Sequence, residues 1–212
     1  MSVKEKPGRR ISADVGPRRR LDPEVRKDLI LDEAARLITE EGLSSVSMER
    51  VAREASISKP LVYAYFSSRK ILLQSLLLRE YDELRNRQSE AAADAEDFED
   101  LIRKTTTIYL EHVHERGAHV HRLMNEPLVA QVVEDLDRKE RARVVGNLAS
   151  QISQFYGMKR PTAVAVTEIA LGTTGAAGEY LRRSKVGRKR LIDITISMLL
   201  GGVERLAHEE QQ

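Results

Sequence analysis

The chain contains no cysteine. Disulfides, thiolate metal sites and thiol redox chemistry are thereby excluded, and the composition suits a reducing cytoplasm, the expected location. Aromatic residues make up only 4%, so any apolar pocket is expected to have aliphatic walls. No apolar run is long enough to span a bilayer and no apolar signal-peptide core opens the sequence, so a soluble protein without a membrane partner is expected. Neither sign of charge dominates: 35 basic residues face 33 acidic ones for a net +2. Attraction to nucleic acid must then come from where charge is placed. GxSxG, P-loop and GxGxxG patterns are all missing. Gly172, Gly175 and Gly178 have another spacing and no preceding strand. Covalent and phosphoryl chemistry lack support, and neither an enzyme nor a cofactor is expected.

What the sequence does have is 41% hydrophobic residues in 212, enough for one large or two small domains. The most informative stretch is residues 47–70, SMERVAREASISKPLVYAYFSSRK. Ser47 can cap a helix whose Met48, Val51, Ala52 and Ala55 share one face. Ala55, Ser56 and Ile57 suit a turn, and Ser58 can cap a second helix with Pro60 in its first turn, where a missing N–H costs nothing. Leu61, Val62, Tyr65 and Phe66 then supply the packing side. Lys59, Leu61, Tyr63 and Ala64 lie toward the start of this helix, the part that reaches a major groove. Ser67 or Ser68 would cap the next helix, and its free N–H groups with Arg69 and Lys70 offer a second phosphate site. Two short helices joined by a tight corner with a basic exit form a helix-turn-helix.

The segment resembles the DNA-binding domain of TetR-type transcriptional regulators. The matching positions are Ser47, Val51-Ala52, Ser56-Ile57-Ser58 and the run Val62-Tyr63-Ala64-Tyr65-Phe66-Ser67-Ser68-Arg69-Lys70. Three departures stand out. Ser56 replaces the usual turn glycine and carries strain if its φ is positive, Arg69 replaces the usual lysine, and Lys70 sits where an acid is common. Ser47, Ser58, Lys59, Leu61, Tyr63, Ala64, Tyr65, Arg69 and Lys70 are the expected DNA contacts.

Around this motif, residues 1–21 are dense in positive charge, contain Pro7, Gly8, Gly16 and Pro17, and have no apolar period. They read as a disordered basic arm, either a solvated tail or a phosphate-tracking segment using Arg18, Arg19 and Arg20. Asp22 and Pro23 open a scaffold helix with the stripe Val25, Leu29, Ile30, Ala34, Leu37 and Ile38, and Gly42 is its expected left-handed C-cap. Residues 22–70 are thus expected to form a three-helix DNA-binding domain, and the resemblance implies that residues 71–212 are a helical regulatory and dimerisation domain. In the latter, a helix from Ile71 links the two parts, and Asp97 caps another that Gly117 is expected to end. Residues 118–127 are expected to be irregular or a short helix. A long helix stops at Gly157, and Pro161 opens the next.

The last two helices are rich in glycine. Glycine within a helix costs about 1 kcal/mol relative to alanine, so it implies close backbone approach. Gly172, Gly175, Ala176, Ile192, Ile196, Leu199 and Val203 are the expected surface for a second copy, in a symmetric four-helix interface. Four histidines, His112, His114, His119 and His121, crowd ten residues, but i, i+2 pairs diverge on a helix and no metal site is expected. His112 lies on an apolar face as a core or pocket residue with a hydrogen-bond partner.

The resemblance implies an all-α homodimer: an N-terminal helix-turn-helix domain and a C-terminal helical ligand-binding and dimerisation domain. It further implies a repressor released from a palindromic operator in double-stranded DNA by a small-molecule effector. The expected effector is apolar or amphipathic, held by Ile102, Thr105, Ile108, Tyr109, His112, Leu123 and Met124. The alternatives are a ligand-independent DNA binder or activator, and an enzyme that modifies small molecules with the histidine cluster.

Overall fold

A computed structural model describes residues 22–183 and 185–210, and among these it is helical with no strand. Helix α1 (Pro23–Glu41) is followed by a single 3-10 turn (Leu43–Ser45), α2 (Met48–Glu54), α3 (Lys59–Tyr65) and α4 (Arg69–Ala93). Four longer helices complete the chain: α5 (Phe98–Met124), α6 (Pro127–Tyr156), α7 (Arg160–Leu181) and α8 (Arg188–Glu210). Four of the expected side-chain caps are made. Asp22 accepts from the Glu24 N–H, Ser47 from Arg50, Ser68 from Ile71 and Asp97 from Asp100. The expected arm, with Arg18, Arg19 and Arg20, lies outside the described residues.

Helix α3 has seven residues, too few to persist without packing. Its Val62, with Phe66 just beyond, is buried among Ile30, Leu31, Ala34, Leu37 and Ile38 of α1, Val51 and Ala52 of α2, and Leu72, Leu73, Leu76 and Leu77 of α4. The same core takes in Leu123 of α5 and Val129 and Val133 of α6, so the amino-terminal module is packed onto the larger helical body. At the far end, Phe98 and Leu101 of α5 pack with Ala149 and Ile152 of α6, Ala163 of α7, and Val203 and Ala207 of α8. Leu110 with Ile192, Ile196 and Leu200 fills the space between. Thus α5 is the spine, running from the far cluster at Phe98 to the module at Leu123.

Two glycines depart from expectation. Gly117 does not end a helix, because α5 continues to Met124 through residues 118–124. Anchoring by the buried His119 and Leu123 overrides the glycine penalty, and a Cβ at Gly117 would already touch Arg182 Cδ and Val113 Cγ1 at 3.4 Å. Gly42 has φ 92° but ψ 170°, outside the left-handed helical well, although its N–H still bonds the Ile38 carbonyl. Gly157, at φ 68° and ψ 11°, is a true left-handed stop for α6.

The turn between α2 and α3 has a Schellman pattern: Ser56 N–H donates to the Arg53 carbonyl at 3.1 Å and Ile57 N–H to that of Ala52 at 2.9 Å. Ser56 holds φ 54°, and among the described residues it is the one non-glycine with positive φ. That conformation costs about 1–2 kcal/mol with a Cβ, against about 0.4–1 kcal/mol of chain entropy that glycine would lose on folding. Ser56→Gly is therefore expected to raise stability by up to about 1 kcal/mol, read as a higher urea midpoint at constant slope. A lowered midpoint would show that the turn stores no strain.

Candidate nucleic-acid interface

The exposed side of α3 is assembled by the burial of the opposite side. Val62 and Phe66 point inward, which leaves Lys59, Pro60, Tyr63 and Ala64 exposed and Leu61 and Tyr65 half-buried. Tyr63 is 41% exposed despite being aromatic. Lys59 Nζ lies 5.9 Å above the centre of its ring and 2.6 Å from Glu49 Oε1 of α2. The Glu49 carboxylate, hydrogen-bonded to Lys59, raises the lysine above its ordinary range and is itself lowered. Lys59 must therefore exchange this exposed partner for a phosphate on docking, a change that costs little because surface pairs are weak. Ser58 begins α3 with its backbone carbonyl accepting from Leu61 and Val62 at 3.0 and 3.1 Å, and its side chain makes no cap hydrogen bond. Ser47 is exposed at the start of α2 and caps Arg50 at 3.2 Å. Lys70 is exposed in the first turn of α4.

Two expected contacts have other duties. Arg69 is half-buried, donating from Nε to the Val46 carbonyl at 2.8 Å and from Nη2 to that of Leu43 at 2.7 Å. Its guanidinium ties the start of α4 to the connection between α1 and α2, so it is not poised for phosphate. The Tyr65 hydroxyl accepts from Arg26 Nη1 at 3.3 Å and its ring lies 6.5 Å from Phe66, so it braces α3 against α1. Arg26 is a residue that sequence reasoning passed over, having no period or motif to mark it.

The regulatory half corrects more of the expected sites. Leu123 is buried in the core shared with the amino-terminal module, and Met124 is 46% exposed, so neither joins Ile102 in a common cavity. Thr105 Oγ1 is turned back onto the Leu101 carbonyl at 2.7 Å. Tyr109 packs on α7, where a Cβ at Gly178 would meet its ring at 3.0 Å, and burial raises its hydroxyl above the ordinary value. Ile108 and His112 do not line the cavity either. That cavity, about 30 Å³, lies between α5, α6, α7 and α8, bordered by Phe98, Ile102, Leu148, Ile152, Leu199 and Val203, with Thr167 as a polar neighbour.

His112 is buried as expected, but its Nδ1 has no hydrogen-bond partner among the described residues. Burial, the largest influence, holds its imidazole below the usual range. His112 and His119 lie inward while His114 and His121 are exposed, so the four rings do not converge. Among the described residues no group of His, Asp and Glu side chains is arranged to hold a metal ion. His119 instead meets Glu80 of α4, 3.4 Å from Nε2, and Thr39 of α1, 3.4 Å from Nδ1. Glu80, 1% exposed, also faces Arg79 at 3.3 Å and Arg116 at 3.7 Å. Arg79 reaches Asp32 of α1 at 2.8 Å, and Arg122 donates to the carbonyls of Ile38 and Thr39. This polar joint between α1, α4 and α5 had one sequence signal, a lone carboxylate on the apolar side formed by Leu72, Leu73, Leu76 and Leu77.

The expected pairing surface is also redrawn. Ile192, Ile196 and Val203 are buried in the chain's own core, and Leu199 borders the cavity. The outward side of α7 and α8 keeps the expected Gly172 and Ala176 and adds Ile169 and Tyr180 of α7 and Met198, Gly201, Gly202 and Leu206 of α8. A Cβ at Gly172, Gly175, Gly201 or Gly202 would meet nothing within 4 Å among the described residues. Gly178 is the glycine of α7 that serves the close internal approach, against Tyr109 and Val113.

Residues 30–76 match the family described as bacterial regulatory proteins, tetR family. The chain is 26% identical over 136 residues to the uncharacterized HTH-type transcriptional regulator YuxN of Bacillus subtilis (strain 168), covering 63% of this chain and 47% of YuxN. It therefore spans about half the length of that relative. In fold it is similar to a TetR-like transcriptional regulator from Rhodococcus sp. RHA1, with TM-score 0.67, 20% identity, and 87% and 98% of the two chains covered. It is similar as well to the fatty acid degradation regulator FadR from Bacillus halodurans, with TM-score 0.66, 14% identity, and 86% and 97% covered. With α3 presented on a buried helical core, residues 30–76 carry the part of the chain that matches the bacterial regulatory proteins of the tetR family.

Proposed function

We propose that the protein is a homodimeric, DNA-binding transcriptional regulator, a repressor released from a palindromic operator by a small apolar or amphipathic ligand. The observation that carries this reading is the outward presentation of Lys59, Tyr63 and Ala64 by a helix anchored on its other side by the buried Val62, with Phe66 just beyond. Ser47, Ser58, Tyr63 and Lys70 offer hydroxyl and ammonium groups to phosphates, while Ala64 and Leu61 meet base edges. The outward side of α7 and α8, with its open glycines, supports pairing of two copies through a four-helix contact.

The apolar border of the cavity favours an aliphatic effector, and FadR, a fatty acid degradation regulator by description, is a neighbour in fold. A volume of about 30 Å³ holds about one water molecule, so a ligand must spread α5 from α7 and α8 to enter. Because α5 grips α1 through His119 and Arg122, that displacement reaches the module. Paired α3 helices must meet grooves about 34–36 Å apart or a multiple of it, and a small tilt breaks the match. The ligand must bind the non-matching state more tightly for release to follow.

The test is fluorescence anisotropy on duplex DNA. Lys59→Ala with Tyr63→Ala is expected to weaken binding at least about tenfold, or about 1.4 kcal/mol, with the thermal midpoint unchanged. Long-chain aliphatic acids are expected to weaken the wild-type complex. Equal binding by wild type and variant would remove α3 from the interface.

A further inference from the structure

The connection from α7 to α8 reads RRSKVGRKR over residues 182–190, with Arg182, Arg183, Lys185, Arg188, Lys189 and Arg190 supplying six cations in nine positions. No acidic residue occurs between Glu179 and Asp193. The whole chain carries +2 and this segment +6, so the other residues together sum to −4. The cluster is a local positive spot on a body of opposite sign.

Its cations are little used by the fold. Arg182 pairs with Glu179 and lays its stem on Gly117. Arg183, Lys185, Arg188, Lys189 and Arg190 are exposed, and none has an ion pair among the described residues. Three of them occupy the first turn of α8, which has no acidic residue. Cations at a helix start oppose the macrodipole and destabilise it. Such an arrangement is relieved by an anion from outside.

The position in the fold identifies the anion. Helix α7 runs from Ala163 in the far cluster to Gly178 and Arg182 beside Tyr109, Val113 and Gly117 of α5. Helix α8 runs back from Ile192 to Val203 and Ala207 in that far cluster. The connection is therefore at the end nearer the amino-terminal module. Gly117 is two residues from His119 and five from Arg122, which touch Thr39 and Ile38 of α1. If two copies pair through α7 and α8 about an axis running along these helices, their connections lie beside that axis, between the two modules.

We propose that Arg183, Lys185, Arg188, Lys189 and Arg190 are a second contact to the DNA backbone, gripping phosphates of the operator's central segment while α3 reads the flanking half-sites. This rests on the DNA-binding reading above. Because phosphate contacts are sequence-blind and salt-dependent, the segment adds affinity without altering the preferred bases.

The experiment compares full-length wild type with Lys185→Gln, Arg188→Gln, Lys189→Gln and Arg190→Gln combined, after circular dichroism and sedimentation have matched their helix content and association state. Binding to one selected duplex is measured from 50 to 300 mM salt. Each lost phosphate contact lowers the slope of log K against log salt by about 0.9. The combined variant is expected to lose about 2–4 from that slope and at least about tenfold in affinity at 50 mM salt. Arg188→Lys with Arg190→Lys should restore both. Tyr63→Ala should lower affinity with a much smaller change of slope. Unchanged slope and affinity in the glutamine variant would overturn the second contact and leave the α3 reading intact. Wild type that binds no duplex would overturn both. Loss of binding to phosphatidylglycerol vesicles, with DNA binding unaltered, would reassign the cluster to a membrane surface and also overturn the proposal.

Discussion

Ile169→Glu combined with Met198→Glu is expected to leave a folded monomer that has lost operator affinity by at least about a hundredfold. Ile169 is 70% exposed and Met198 63% exposed, so neither contributes to the core of its own chain and the fold should be unaffected. In a two-fold contact each substitution occurs twice, which puts four carboxylates into an apolar surface. Desolvating charge without partners is costly enough to open an interface of this kind. The loss of affinity follows from linkage: two tethered α3 helices bind about 10²–10⁴ more tightly than one, and that gain disappears when the pair separates. Analytical ultracentrifugation together with anisotropy on the same samples checks both halves of the expectation. A variant that sediments as a dimer would place the pairing surface elsewhere.

The second large effect is expected at Glu80. Its carboxylate is buried between Arg79, Arg116 and His119, at the point where α4 and α5 hold α1. Removing one member of a buried charged group leaves the others unpaired, typically at about 3–5 kcal/mol. Arg79 and Arg116 reach solvent and Arg79 keeps Asp32, so Glu80→Ala should cost on the order of 3 kcal/mol, toward the low end. Glu80→Gln, which keeps the shape and some hydrogen bonding, should cost less.

Acid should act on the same joint in two steps. Burial alone pushes the Glu80 carboxyl up, but His119, Arg116 and Arg79 outweigh it and hold the group below its ordinary value. A depressed carboxyl contributes stability above its unfolded pKa of 4.5, lost as pH falls through the lower folded value. His112 is also depressed, chiefly by burial, with Glu80 and Glu83 opposing and Arg87 and Arg116 adding to the shift. Its folded form resists a proton that the unfolded chain accepts, so stability begins to fall as pH drops below 6.5. The thermal midpoint should therefore decline from pH 7 to 5 and again below 4.5, and His112→Gln should flatten the first decline. Equal slopes in wild type and H112Q would remove His112 from the acid response.

Those elements of the fold that rest on local chemistry were legible in the sequence. Asp22, Ser47, Ser68 and Asp97 cap helices because a short oxygen-bearing side chain before an apolar period has little else to do. Ser56 was readable as a strained turn residue because the resemblance places a glycine there, and it holds positive φ. What failed did so where tertiary packing decides. Gly117 looked like a stop, yet α5 is pinned on both sides of it. Ile192, Ile196 and Val203 had the rhythm of a pairing seam, but periodicity reports that a side is covered and not by what. The outward side was instead marked by glycines and isolated apolar residues too dispersed to form a rhythm. Arg69 had the charge of a phosphate ligand, and only three dimensions reveal two carbonyls already in its reach.

The central claim is that two copies of α3 read successive major grooves of one duplex. Selection of bound sequences from random double-stranded DNA by the full-length protein tests it most directly. The account predicts enrichment of an inverted repeat whose half-sites are centred about 10–10.5 base pairs apart, or a multiple of that, and no enrichment when Tyr63 and Lys59 are replaced by alanine. Enrichment of a single asymmetric site, or a wild-type pool as random as its input, would contradict it.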